Sequence, residues 1–186
     1  GAWRLMNGKA DGLRLLDLSV DGFWNSFFAI VVALPALLVG WVPLAGELSG
    51  ADAGLPVRLG VMARLAVIDI GAWVLPIAGL AAVAGYVGVR DRFVHYVVAS
   101  NWGSALYAWF MLPASLIRLV FPGASEPATL ISLLIFLATL VLSWRLTNAS
   151  LAKGPAIASA VFAGMLVASI VTLFALQDIL GITPQG

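Results

Sequence analysis

The stretch FVHYVVASNWGSALYAWFMLP at residues 93–113 decides how this chain is read. A helix of about 20 mostly apolar residues crosses the hydrocarbon layer of a bilayer, and this run is long enough. It carries the only histidine of the protein, His95, and a polar Asn101-Trp102 pair among apolar neighbours. Working outward, two more apolar runs precede it, at about residues 23–44 and 60–89. Two follow, at about 128–144 and 155–176.

Composition agrees. The hydrophobic fraction is 62% and the charged fraction 10%, whereas a soluble domain is about one quarter charged. The fold class expected is all-α: a polytopic transmembrane bundle of about five spans over residues 23–186. It is preceded at residues 1–22 by an amphipathic helix lying at the membrane interface. In that N-terminal segment Trp3, Met6, Ala10, Leu13, Leu16 and Val20 recur at steps of three and four, with Arg4, Lys9, Asp11 and Arg14 mostly opposite. The same periodicity also fits a surface helix packed on the protein itself. Acidic residues among the basic ones, and no small-residue cleavage site, argue against a secretory signal.

A net charge of +1 leaves no basic patch for nucleic acid. The absence of cysteine removes disulfides, thiolate metal sites and covalent haem attachment. Basic residues fix a direction. Arg4, Lys9, Arg14, Arg90, Arg92, Arg145 and Lys153 fall on one side of a five-span chain, and only Arg58, Arg64 and Arg118 on the other. The rule that cytoplasmic loops are rich in Lys and Arg then places the N-terminus in the cytoplasm and the C-terminus outside. The Ala/Gly/Leu/Val-rich style points to a bacterial inner membrane.

Prolines 35, 76 and 113 sit within apolar runs and are expected to kink them, with Pro113 kinking or ending span three. Residues 45–57 read as a polar loop, Pro122-Gly123 as a break, and residues 181–186 as a short tail. Trp24-Asn25-Ser26 followed by Leu34-Pro35-Ala36 matches Trp102-Gly103-Ser104 followed by Leu112-Pro113-Ala114 at the same spacing, which reads either as an internal repeat or as coincidence among abundant residues.

An ionisable group within a span is costly, so it is a functional hypothesis by default. Asp69 is the strongest, about nine residues into span two, with Asn101 and Ser104 deep in span three and Arg118 near its outer end. Asp69, Arg118, Glu126 and Asp178 form either a tie between helices in the outer leaflet or part of a transport site. Arg64 lies roughly 140° around the helix from Asp69 and is read as reaching for headgroups. His95 is read as an interfacial residue with a structural role, or as a switch, since histidine is the side chain able to titrate near neutral pH; a lone histidine without a carboxylate pair nearby is a poor metal ligand. Asn25, Ser26 and Asn101 read first as hydrogen-bonding links between helices. Ala156, Ala160, Gly164 and Ala168 place a small residue at every fourth position of span five. They predict close packing on another helix, of the same chain or of a partner, with Gly71, Ala78 and Ala82, or Ala81 and Gly85, of span two as a matching surface. Trp41, Trp144, Tyr86 and Tyr96 are expected as interfacial anchors.

No zinc-protease, nucleophile-elbow, phosphate-loop or dinucleotide signature is present, so neither catalysis nor a cofactor is expected. Five spans, a cytoplasmic N-terminus, short loops and prolines within the apolar runs resemble the Yip family of membrane proteins, though without the long polar N-terminal extension of its eukaryotic members. That resemblance implies a five-span fold and little chemistry. Three functions follow from the residues. The first is a structural or accessory subunit of a membrane complex, partnered by lipid, other membrane proteins or itself. The second is a transporter or channel component using Asp69 and Asn101. The third is a binder of a lipid, quinone or pigment along the aromatic third span.

Overall fold

The computed structural model describes residues 1–50, 52–121, 123 and 125–182, with the backbone alone at Ser125. The break expected at Pro122 and the tail beyond residue 182 lie outside the described residues. The described chain is helical, without strands. Its elements are α1 (Ala2–Met6), α2 (Val20–Asn25), α3 (Ala29–Ser49), α4 (Leu55–Val83), α5 (Phe93–Val120), α6 (Ser125–Leu151) and α7 (Pro155–Ile179). Five helical stretches are long and apolar enough to cross a membrane, the first running from Val20 through α3.

The N-terminal segment is not one helix. Gly8 adopts φ +76°, a backbone conformation that costs glycine little. The chain turns there from α1 into a 3-10 helix at Ala10–Leu15. Leu5 and Met6 are fully buried and pack with Ala99 and Leu146 of α5 and α6. The segment is therefore docked on the protein's own helices, the second of the two readings its periodicity allowed. Asp17 accepts from Ser19 N, and Ser19 Oγ accepts from Gly22 N, which caps α2 and starts the first long stretch.

Span ends differ from the hydropathy reading. Helix α3 continues through Pro43 to Ser49, into the expected loop, and α5 continues through Pro113 to Val120. Proline is tolerated inside a spanning helix because neighbouring helices satisfy the freed backbone groups. Beside Pro35, Trp109 of α5 donates to Val32 O at 3.1 Å, next to the Val31 carbonyl that lacks its helical donor. Gly154, at φ +89°, turns the chain so that Pro155 takes the first position of α7, where a missing N–H costs nothing.

The long helices close a ring. Helix α3 packs on α4 and α5, α5 on α6, α6 on α7, and α7 back on α4. On the outer surface, Leu134, Val141, Val171 and Phe174 are more than half exposed, which suits a lipid-facing wall. Apolar clusters pack between the helices towards both ends, and the interior between them is partly open. One joins Leu80, Val89, Val97, Leu151 and Val161; the other joins Trp41, Leu65, Ile68 and Ile182. At the first end Lys153 Nζ meets Asp91 Oδ2 at 2.8 Å, tying the α4–α5 turn to the α6–α7 turn.

The α3–α5 seam is the close one. Ala29, Ala33 and Ala105 are buried together, and a Cβ on Gly40 would sit 3.4 Å from Ser115 Oγ. These two helices carry the matched Leu-Pro-Ala stretches, and Ala36 and Ala114 occupy equivalent buried places; of the Trp-x-Ser stretches one is on α5 and the other precedes α3, on α2 and the turn after it. Within the chain, the small-residue stripe on α7 forms no seam with α4. Ala156, Ala160 and Gly164 are exposed, only Ala168 is half-buried, and a Cβ on Gly164 would meet nothing. Ala78, Ala81 and Ala82 of α4 are exposed as well, as is Gly85 in the turn that follows it. Helices α4 and α7 meet instead through bulkier side chains, with Leu176 filling the space above Gly71.

Candidate functional site

Inside the ring lies a cavity of about 530 Å³ to which every long helix contributes. Helix α3 gives Gly40 and Trp41, α4 gives Asp69 and Trp73, α6 gives Ser143 and Thr147, and α7 gives Phe162, Met165 and Ser169. Helix α5 gives most of one wall: Tyr96, Ser100, Ser104, Tyr107, Met111 and Ser115. These recur at steps of four and three, so they form a single stripe along the helix. Volumes of about 300–1,000 Å³ are usual for small-molecule sites, and this one falls within that range.

Asp69 is the one acidic side chain among the described residues on the wall. Its partner is Trp41, whose Nε1–H donates to Oδ2 at 2.6 Å. No hydrogen bond reaches Oδ1 among the described residues. A hydrogen bond to a charged group is worth about 1.5–3 kcal/mol, enough to hold the carboxyl in one orientation at the cavity surface. Trp41 itself is 5% exposed, so it is a polar link inside the bundle rather than the interfacial anchor expected of it. Tyr96 is likewise buried, whereas Tyr86 is exposed and Trp144 Nε1–H donates to Ser159 Oγ at 3.0 Å.

Asn101 lies one position beyond Ser100, which turns it about 100° away from the cavity stripe. It is fully buried. Its Oδ1 accepts from Trp73 Nε1–H at 2.9 Å, and its Nδ2–H donates to Ser26 Oγ at 2.9 Å. Ser26 in turn donates to Phe23 O at 2.6 Å. The chain of bonds joins the first, second and third long stretches, and it presents Trp73 to the cavity from behind.

Of the polar residues expected together, Asp69 and Ser104 share the cavity; Asn101 supports it without lining it, and Arg118 is elsewhere. Arg118 donates to Thr129 Oγ1 at 3.3 Å, and no ion pair among the described residues joins it to Asp69, Glu126 or Asp178. The outer charge network is thus not formed. Arg64 is exposed, as a side chain reaching for headgroups would be. His95 sits half-buried in the first turn of α5, its Nδ1 buried without a hydrogen bond, and does not line the cavity. No three metal-ligating side chains cluster among the described residues.

The sequence reading missed the cavity-facing Ser100, Tyr107, Ser115, Ser143, Thr147 and Ser169. The four-residue recurrence of Tyr96, Ser100 and Ser104 was the signal available for α5. A second cavity, of about 720 Å³, lies between the N-terminal segment and α5, among Trp3, Leu16, Asp17, Trp102 and Trp109. Comparison of the chain with protein-family models, with curated proteins and with solved structures gave no match.

Proposed function

We propose that this multi-pass membrane protein is a transporter or channel component that takes a small solute into the ring of five helices, with Asp69 as the group that engages it. The observation carrying this reading is Asp69 and Ser104 on one cavity walled by all five long helices. Asn101 has a supporting part: by holding Trp73 it shapes the wall. Asp91 and Lys153, joined by their ion pair, bring two loops to the same end of the bundle, as a five-span chain requires; the excess of Lys and Arg at that end is what favours a cytoplasmic N-terminus in a bacterial inner membrane. The test is uptake by reconstituted vesicles across a panel of labelled cationic, neutral and anionic solutes. At least one solute should enter, and Asp69→Asn should slow it about tenfold or more. Unchanged uptake in Asp69→Asn contradicts the reading.

A second reading, an accessory subunit of a larger assembly, is favoured by Ala156, Ala160 and Gly164, which are open on the outside of α7. Small residues let another spanning helix approach closely. Gly164→Leu should then lower the mass of the complex on native gels. An unaltered complex contradicts it.

A further inference from the structure

We infer that the solute taken by the central cavity is a monovalent organic cation, with an ammonium or similarly diffuse positive group against Asp69. This rests on the reading of the cavity as a solute site and adds its chemical class.

Charge is the first argument. Among the described residues lining the cavity there is one carboxylate and no lysine, arginine or histidine. An anion entering a low-dielectric interior would meet like charge with nothing to offset it. A cation would find the Asp69 oxygen that Trp41 leaves without a hydrogen bond.

The second argument is the aromatic share of the cavity wall. Trp41, Trp73, Tyr96, Tyr107 and Phe162 all line the cavity. Aromatic faces attract cations, and they do so best for diffuse ones such as substituted ammonium groups. Trp73 is fixed in place by the fully buried Asn101. Tyr107 stands beside Ser143 on the same wall, so hydroxyl groups border the aromatic surface.

Size is the third. A bare divalent ion wants about six or more oxygen ligands within roughly 2.6 Å. The described residues offer no cluster of metal-ligating side chains. A volume of about 530 Å³ is instead that of a molecular ligand.

The experiment uses the purified chain in mild detergent and three probes of similar shape: tetraphenylphosphonium, tetraphenylborate and neutral triphenylphosphine oxide. Binding is read by equilibrium dialysis in excess of protein-free micelles. The expected result is that tetraphenylphosphonium binds, that tetraphenylborate does not, and that Asp69→Asn weakens the cation about 30-fold or more. Asp69→Glu, which keeps the charge, should retain the preference, and this separates loss of charge from loss of fold. Neutral and cationic probes binding alike in wild type and Asp69→Asn would overturn the cation assignment and leave the solute site standing. Binding of no probe would overturn both. Short-chain phosphatidylcholine and tetraethylammonium then serve as competitors. Displacement by the first assigns the cation to a lipid headgroup and by the second to a free solute; displacement by neither overturns the cation site.

Discussion

Trp41 and Trp73 each donate an indole N–H to a polar side chain 28 residues further along the chain, one to Asp69 and the other to Asn101. The two pairs are built alike and end differently. Asn101 is fully buried, and both ends of its amide are engaged, one by Trp73 and the other by Ser26. Asp69 is half-buried on a cavity wall, and one of its oxygens has no hydrogen bond among the described residues. A polar group in a membrane interior is costly unless its hydrogen-bonding capacity is used. Asn101 uses its capacity within the fold and so acts as a tie between helices. Asp69 holds part of its capacity in reserve, which suits a ligand.

The largest expected effect breaks that contrast at its charged end. Asp69→Asn keeps an acceptor for Trp41, so thermal stability in detergent should change by less than about 1 kcal/mol. Cation affinity should fall about 30-fold, equivalent to about 2 kcal/mol. Next comes Asn101→Ala, with the opposite pattern. It strands the indole N–H of Trp73 and should lower stability by about 1–2 kcal/mol in a denaturant titration. Smaller still is the coupling of Trp73→Phe with Asn101→Ala. A double-mutant cycle should give about 0.5–1 kcal/mol, because each substitution removes the same bond.

The smallest effect lies outside the ring. Arg4 donates to both oxygens of the exposed Asp11, and that hydrogen bond holds the Asp11 carboxyl below its ordinary value of 3.8. Because the folded value is the lower one, the tie contributes fully above the ordinary value and is lost as pH falls through the folded value. Carbon-13 NMR of Asp11 should therefore show a midpoint below 3.8 that Arg4→Met moves upward. An unmoved midpoint would assign the shift to something other than Arg4.

The five long helices were legible because lipid selects on composition, and composition is written locally. Their ends were harder. Proline at 43 or 113 reads as a stop when only the chain is in view, yet a neighbouring helix can replace the lost hydrogen bond. Asp69, Asn101 and Ser104 were legible as costly polar residues inside spans. Their separate roles were not, since the roughly 100° between Ser100 and Asn101 matters only once the neighbouring helices are placed. Trp41 was read as an interfacial anchor because its partner is on another helix. The two small-residue stripes teach the same lesson. Ala29, Ala33 and Gly40 line a tight seam, while the more regular series at Ala156, Ala160 and Gly164 faces outward. Spacing shows that a helix can be approached closely; it does not show which neighbour arrives.

Ser26 and Ser104 occupy the same place in the matched Trp-x-Ser stretches, yet one is sealed beside Asn101 and the other lines the cavity with Asp69. The chain has no cysteine, so Ser26→Cys and Ser104→Cys each introduce a single thiol. The direct measurement is the rate at which a small water-soluble methanethiosulfonate modifies each one in intact membranes. Faster modification at Ser104→Cys, by about tenfold or more, is the result predicted for an accessible site beside a closed tie. Equal rates, or a thiol at position 104 that never reacts, would contradict the claim that this ring encloses a solute site.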